Sequence, residues 1–143
     1  MRAIALSAIV VCAAGVCLFA DAETEVNSLI GSMTDALAEV NAAGFMAAFD
    51  KNMPGFEQLK TDVEAMVNQA EVSSSVEPIK NEGNDTKRAV DLDWYLEIRS
   101  LLQDGPIVRR REVIHCELEK EKNRWKIVSL KPIDFFAPAN LAN

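Results

Sequence analysis

The sequence is poor in the residues that define many catalytic and metal sites. It has one histidine and three cysteines among 143 residues. It contains no phosphate-binding loop, no GxSxG nucleophile turn, no HExxH helix and no paired-cysteine pattern. One histidine with scattered carboxylates does not give the ligand spacing of a metal site. We therefore expect no metal and no cofactor.

Positive charge is also in short supply, because the formal net charge is -7. An acidic protein is a poor partner for nucleic acid or for an anionic membrane surface. The local run Arg109-Arg110-Arg111 does not change this, since alternate residues of a strand point to opposite faces. We expect no nucleic-acid partner.

Long apolar runs are absent except at the N-terminus. A single basic residue, Arg2, precedes an apolar run from Ala3 to Ala20, and Ala20-Asp21-Ala22 has the small-x-small pattern of a cleavage site. These features predict a signal peptide over residues 1–22, and hence an exported protein, periplasmic or secreted. A membrane anchor is the alternative, but the run is just short of the roughly 20 apolar residues of a spanning helix. We expect no membrane association after cleavage.

Removal of the signal peptide takes away Cys12 and Cys17 and leaves Cys116 as the one thiol. An exported protein with one cysteine has no internal disulfide. A buried, inert thiol is the favoured state of Cys116, and an intermolecular bridge is the alternative.

Apolar residues at steps of three and four predict three helices. The first covers Glu23 to Asn41, the second is short, from Phe45 to Phe49, and the third follows Met53-Pro54-Gly55 and ends near Gln69. With no repeat and no low-complexity linker, residues 23–137 are predicted to form one domain. Residues 138–143 are predicted to form a flexible tail.

From Glu71 the apolar period changes to two, which predicts strands. Pro78 confines the first to a sheet edge or a strand end, and the others cover Arg88 to Leu101, Ile107 to Lys120 and Trp125 to Ile133. The fold class is therefore α+β, with three helices before four antiparallel strands. The second of these strands places one apolar set on a single face: Val90, Leu92, Trp94, Leu96 and Ile98.

The hydrophobic pattern also bears on how the two central strands pair, because register is set by which face is buried. A loop at Gln103-Asp104-Gly105 keeps apolar residues beside apolar residues, whereas a two-residue turn at Asp104-Gly105 mixes them with charges. The preferred loop sets these pairs side by side: Trp94 with Ile114, Leu92 with Cys116, Val90 with Leu118, Glu97 with Arg111 and Asp93 with His115. The last strand is apolar on both faces, and its register stays open.

This order of elements resembles the nuclear transport factor 2-like superfamily, which includes ketosteroid isomerase, scytalone dehydratase and the SnoaL-type polyketide cyclases. The likeness covers nearly the whole chain after the signal peptide. It rests on the long amphipathic first helix, the connection from Phe49-Asp50 to Met53-Pro54-Gly55, and the C-terminal run from Trp125 to Phe136. It implies a curved sheet wrapped around helices, a cone with an apolar cavity, and in many members a homodimer through the outer sheet face.

The catalytic residues of these enzymes do not carry over. The first helix has no tyrosine, since the sole one is Tyr95 on a strand, and the sole histidine is His115. Asp50 matches an aspartate after the early helices but has no supporting partner. The polar face of the central strands offers Asp93 and His115 as weak candidates for an acid–base pair. A solvated outer face is the favoured alternative.

The resemblance implies that the cavity lies on the helix side of the sheet. Its expected lining, and the expected ligand-binding set, is Trp94, Leu96, Ile114 and Cys116. Arg110 and Glu112 share that parity and are candidates for the cavity mouth, where a charged pair orients a polar group. A structural salt bridge, or a bulge that turns both outward, is the alternative.

Three functions follow from this arrangement. The first is an exported domain that binds a small apolar ligand or a protein partner. The second is an isomerase, dehydratase or cyclase acting on an apolar molecule, which requires an acid or base inside the cavity. The third is a structural homodimer whose outer-face charges, with Glu97 and Arg111 as candidates, pair across the two-fold axis.

Overall fold

The computed structural model describes the backbone of residues 7–141 and the side chains of residues 22–141. The predicted signal peptide lies almost wholly outside the described side chains, and its cleavage stays a prediction. Within the described part of the chain, no helix is both long enough and apolar enough to cross a membrane.

Three helices come first, as predicted, although the second begins three residues before the predicted Phe45 and ends three residues before the predicted Phe49. They are α1 (Ser7–Ala38), α2 (Ala42–Met46) and α3 (Phe56–Gln69). Four residues of the predicted apolar stripe of α1 are buried, namely Val26, Ile30, Met33 and Leu37, whereas its last residue, Val40, lies beyond the helix and is exposed. The first helix ends slightly before the predicted Asn41, because Asn41 instead caps α2 by accepting a hydrogen bond from the Gly44 amide at 2.9 Å.

Four antiparallel strands follow in the order β1-β2-β3-β4. They are β1 (Ala70–Gly83), β2 (Lys87–Ser100), β3 (Ile107–Glu121) and β4 (Arg124–Lys131). The predicted edge position of Pro78 is confirmed, because β1 is an edge strand and its pairing with β2 shifts between Pro78 and Lys80. Proline cannot donate to a sheet ladder, so a bulge at an edge accommodates it.

The predicted division of β2 into two faces is also confirmed. Val90, Leu92, Trp94, Leu96 and Ile98 are all buried, and we call the side they occupy the inner face. The helices cover this side, and the side chains of both layers join in one core. The opposite side, the outer face, carries the charged residues of β2 and β3.

The predicted register of the central hairpin is wrong by two residues. Trp94 pairs with Glu112, Leu92 with Ile114, and Val90 with Cys116. The connecting loop is longer than predicted, because Ser100 Oγ accepts the Leu102 amide at 3.1 Å and the Gly105 amide donates to the Leu102 carbonyl at 3.0 Å. A shift of two keeps each side chain on its face, so the hydrophobic pattern alone does not detect it.

The open register of β4 is explained by a bulge. Glu117 pairs with Ser129 and Leu118 with Ile127, so Val128 is the additional residue of β4. An added residue reverses the face of those that follow it. Ile127 and Leu130 are therefore both buried although their spacing is odd.

The last element is a short 3₁₀ helix, Ile133–Phe136, which packs against α3. Both of its phenylalanines, Phe135 and Phe136, are buried. Two residues of the predicted tail, Ala139 and Leu141, pack against the core. The C-terminal segment is thus part of the packed domain at these positions.

Candidate functional site

The four apolar residues expected to line a cavity all lie on the inner face. Trp94, Leu96 and Ile114 are 0% exposed and Cys116 is 2% exposed. Trp94 and Leu96 lie on β2, and Ile114 and Cys116 lie on the neighbouring β3. Ile114 pairs with Leu92 and Cys116 pairs with Val90, so the four side chains share one region of the inner face. Their role as ligand contacts stays a prediction.

Aromatic rings fill the space above these residues. The Phe136 ring centre lies 5.0 Å from that of Trp94, 5.2 Å from that of Phe45 and 5.1 Å from that of Phe135. All three contacts are edge-to-face, the arrangement that aromatic quadrupoles favour. The C-terminal 3₁₀ helix therefore places a phenyl ring directly on the inner-face tryptophan.

Three buried polar side-chain atoms within the described residues have no hydrogen-bond partner. They are Asp62 Oδ2, Ser74 Oγ and Trp94 Nε1. Ser74 of β1 pairs with Leu96, while Trp94 pairs with Val76, so Ser74 is a diagonal neighbour of Trp94 on the inner face. Asp62 belongs to α3. Buried polar groups without partners are few in folded proteins, and each calls for an explanation.

Arg110 and Glu112, the two candidates for the cavity mouth, are placed differently. The half-buried Arg110 donates from Nη1 to the carbonyl oxygens of Phe135, at 2.8 Å, and Ala137. Glu112 is exposed, and the two side chains form no ion pair with each other. Arg110 thus holds the C-terminal segment against β3, and its guanidinium satisfies carbonyl groups at a helix end.

The Cys116 thiol is buried, as expected. Burial raises its pKa to about 12, with a smaller contribution from the Asp91 carboxylate. A thiol with this pKa stays protonated at neutral pH, and the thiolate is the nucleophilic form. Cys116 is therefore a packing residue and a poor nucleophile.

The predicted contact between Asp93 and His115 is wrong. His115 Nδ1 lies 2.7 Å from Asp91 Oδ1, and Asp93 accepts two hydrogen bonds from Arg111 at 2.7 and 3.0 Å. The two-residue shift in register is the cause, because it pairs His115 with Asp91 and Asp93 with Val113. Both sets lie on the outer face, away from the helices.

Charge pairing dominates that outer face. The hydrogen bond from Arg111 lowers the pKa of Asp93, and the same bond raises the pKa of Arg111. The hydrogen bond from Arg99 lowers the pKa of Glu97. Arg109 adds an ion pair to Glu97 at 3.6 Å. These groups keep one another ionised, which is the opposite of the near-neutral pKa that general acid–base catalysis favours.

A surface groove of about 710 Å³ lies between α1 and β4 and was not predicted. At its edge Trp125 Nε1 donates to Glu25 Oε2 at 2.8 Å, and Lys120 Nζ lies 3.4 Å from the same oxygen. These contacts hold the start of the predicted mature chain against β3 and β4.

Sequence reasoning also missed Phe136 and Ser74. Phe136 lies beyond the last strand, where no period marks a buried side. Ser74 alternates with Val72 and Val76 on β1, and this polar residue among residues of the inner face was the signal that the sequence offered.

Comparison with known proteins identifies the fold. No protein-family model and no curated protein sequence matches the chain significantly. Solved structures do match it. A candidate scytalone dehydratase from Novosphingobium aromaticivorans superposes with a TM-score of 0.67 at 13% identity, over 75% of this chain and 79% of that one.

Two further structures give the same result. A nuclear transport factor 2-like superfamily protein from Salmonella enterica has a TM-score of 0.63 at 10% identity, over 86% of this chain and 95% of that one. A hexachlorocyclohexane dehydrochlorinase has a TM-score of 0.60 at 11% identity, over 75% and 80%. The chain therefore has the nuclear transport factor 2-like fold, as the resemblance predicted. Identities this low establish the fold alone.

Proposed function

We propose that this chain is an exported binding domain that takes a small apolar ligand in the space between the helices and the inner face of the sheet. The observation that carries the proposal is the inner face itself. It is apolar, the Phe136 ring of the C-terminal 3₁₀ helix packs on it, and within the described residues the buried indole N–H of Trp94 has no acceptor. Apolar pockets with a few placed polar groups are the usual form of small-ligand sites.

The names of two structural neighbours support a small-molecule ligand. One is a hexachlorocyclohexane dehydrochlorinase and the other a candidate scytalone dehydratase. Both names refer to reactions of small organic molecules. Export of this chain is proposed on its N-terminal sequence.

Binding is favoured over turnover because the buried residues of the described part of the chain include no carboxylate, histidine, lysine or tyrosine. Cys116 stays protonated, and His115 lies on the outer face with Asp91. The candidate acid or base for an isomerase, dehydratase or cyclase is Asp62 on α3, the carboxylate of the described residues that has a buried oxygen without a partner.

Native mass spectrometry of the protein purified gently from its own host tests the proposal. We expect a mass increment from a bound apolar molecule. Ile114→Phe, which overfills the inner face, should lose the increment, since added volume is poorly tolerated in a packed interior. Val113→Phe is the matched control, because Val113 is the adjacent residue, is 40% exposed and faces outward. Circular dichroism checks that both variants fold.

A bound molecule that persists in Ile114→Phe and disappears in Val113→Phe would place the site on the outer face. A wild-type protein that purifies without a bound molecule would argue against a small ligand. A copurified polypeptide would instead support the protein-binding form of the proposal.

A homodimer through the outer face is the second candidate, favoured by how its charges are distributed. The outward residues of β2 include the acidic Asp91, Asp93 and Glu97, and those of β3 include the basic Arg109 and Arg111. Beyond this segment the charges are mixed, because β2 also carries Lys87 and Arg99 and β3 also carries Glu117 and Glu119. A two-fold axis parallel to the strands would set the acidic segment of β2 in one copy over the basic segment of β3 in the other. Such a self-complementary patch suits a symmetric dimer.

The same spectra report this dimer. We expect Glu97→Lys to convert dimer to monomer, because it places a like charge opposite the basic segment of β3 in the other copy. Glu57→Lys on α3 makes the same charge change away from the sheet and should leave the dimer intact. An equal amount of dimer in both variants would exclude the Glu97 contact.

A further inference from the structure

The sequence Asn84-Asp85-Thr86 takes no part in the binding site or the dimer face proposed above. It is the one place in the chain where an asparagine is followed two residues later by serine or threonine, with no proline between them. This triplet is the acceptor sequence for N-linked glycans in exported proteins. A glycan is bulky and polar, so the triplet can carry one only where the folded chain leaves it exposed.

The triplet forms the whole turn between the two strands of the first hairpin. β1 ends at Gly83 and β2 begins at Lys87. All three residues of the triplet are exposed, and so are Gly83 and Lys87 on either side of it. Exposed polar turns are the positions at which a folded domain tolerates added groups. The hairpin tip therefore has room for a glycan.

Hydrogen bonds fix the orientation of the Asn84 side chain in this turn. Its Oδ1 accepts from the backbone amides of Thr86 and Lys87, both at 2.9 Å, and from the Thr86 hydroxyl at 3.1 Å. A backbone N–H is only a donor, so the atom that faces these two amides must be the carboxamide oxygen. The nitrogen, Nδ2, lies on the other side of the carboxamide, and it donates no hydrogen bond to the described residues.

This arrangement suits modification at the nitrogen of Asn84. An N-linked sugar replaces one hydrogen of Nδ2 and leaves Oδ1 as an acceptor, so all three hydrogen bonds of the turn are retained. A sugar on the Thr86 hydroxyl would instead replace the hydrogen that is donated to Asn84. The folded turn thus accommodates an N-linked glycan at Asn84 better than an O-linked glycan at Thr86.

We propose that Asn84 carries an N-linked glycan after export. The inference rests on the export that forms part of the function proposed above. The donor is a sugar held on a lipid diphosphate. Asn84 Nδ2 forms a bond to the anomeric carbon of that sugar, the bond from this carbon to the diphosphate oxygen breaks, and Nδ2 loses one proton. The lipid diphosphate leaves, and no group is oxidised or reduced.

The glycan would lie far from the proposed ligand site. β2 runs from Lys87 at the hairpin tip to Trp94 and beyond. A strand rises about 3.3 Å per residue, which puts Trp94 roughly 20 Å from the tip. A glycan on Asn84 therefore adds polar bulk to one end of the sheet and leaves the inner face around Trp94 free.

Peptide mass spectrometry of the protein purified from its own host tests this inference. Trypsin cleaves after Lys80 and Lys87 and releases the peptide of residues 81–87. Electron-transfer fragmentation keeps sugars attached and assigns them to a residue. We expect a sugar mass on Asn84. The same digest reports export, because removal of the signal peptide gives a first peptide that begins at Glu23.

Two substitutions with matched controls test the role of the triplet. Asn84→Asp keeps the oxygen that accepts the turn hydrogen bonds and removes the nitrogen, so we expect the modified peptide to be lost. Thr86→Val, which removes the hydroxyl, should also lose it, whereas Thr86→Ser should retain it. Asn123 is exposed in the second hairpin turn but is followed two residues later by Trp125, and it should be unmodified in every variant. Circular dichroism checks that each variant folds.

The other outcomes overturn the inference in distinguishable ways. A chain that begins at Glu23 with unmodified Asn84 would leave export standing and exclude the glycan. A chain that retains residues 1–22 with unmodified Asn84 would count against export and the glycan together. A sugar on Thr86 would exclude the N-linkage. A sugar on Asn84 that persists in Thr86→Val would contradict recognition of the triplet.

Discussion

Replacing Phe136 by alanine is expected to lower the free energy of unfolding by about 3–5 kcal/mol, the range for a buried phenylalanine. Phe136 is 0% exposed and its ring contacts Trp94, Phe45 and Phe135. The loss is a large part of the roughly 5–15 kcal/mol that stabilises a domain. Urea denaturation of wild type and variant measures it.

The same substitution should create a binding site. Removing the ring leaves an apolar space beside Trp94, and apolar cavities in proteins bind apolar molecules. We expect Phe136→Ala to bind 2-isopropenylnaphthalene at least ten-fold more tightly than the wild type.

Phe56→Ala is the control for both effects, because Phe56 is only partly buried. It should lose about 1–2 kcal/mol and bind the hydrocarbon as the wild type does. A decrease in the free energy of unfolding of less than about 1 kcal/mol for Phe136→Ala would mean that the C-terminal 3₁₀ helix does not pack between the sheet and the helices. Full burial of this ring predicts a decrease several-fold larger.

Arg110→Met is expected to destabilise the protein by about 2 kcal/mol, since hydrogen bonds to a charged group contribute about 1.5–3 kcal/mol. Methionine keeps the apolar stem of the side chain and removes the donors to the Phe135 and Ala137 carbonyls. The C-terminal segment should then open more readily, and we expect affinity for 2-acetylnaphthalene to rise about ten-fold.

The adjacent Arg109 offers a matched control. Its exposed side chain makes one ion pair with Glu97 at 3.6 Å, and exposed pairs of this kind contribute about 0–1 kcal/mol. Arg109→Met should therefore change neither stability nor probe affinity appreciably. Equal effects of the two substitutions would contradict a specific role of Arg110 in holding the C-terminal segment.

Much of this fold could be predicted from the sequence because its apolar residues recur at regular spacings. Val26, Ile30, Met33 and Leu37 mark one side of α1, and the alternation from Val90 to Ile98 marks the inner face of β2. Both patterns follow from burial of one side of an element. The element order then led to the resemblance, and the structural comparison confirmed the fold.

The register of the hairpin could not be predicted in the same way. Alternation distinguishes one face from the other but not a shift of two residues. The loop decides the shift, through the Ser100 hydroxyl and the positive φ of 61° at Asp104. Neither has a counterpart in the hydrophobic pattern. Consequently the neighbour of His115 was assigned as Asp93 when it is Asp91.

The candidate site was predicted in part. The sequence placed Trp94, Leu96, Ile114 and Cys116 on the inner face, where they lie. It did not decide whether Arg110 lies at the cavity mouth or forms a structural contact. The partners of Arg110 are backbone carbonyls 25 and 27 residues away, and a sequence pattern does not identify such partners. The missing acceptor of Trp94 is likewise a property of packing in three dimensions.

The most direct test of the account is where an apolar ligand binds. Nuclear Overhauser effects between bound 2-acetylnaphthalene and the methyl groups of the chain report this position. The account predicts contacts with Leu96 and Ile114 on the inner face and none with Val113 on the outer face. Contacts with Val113, or with Leu29 in the groove beside α1, and none with Ile114 would contradict it.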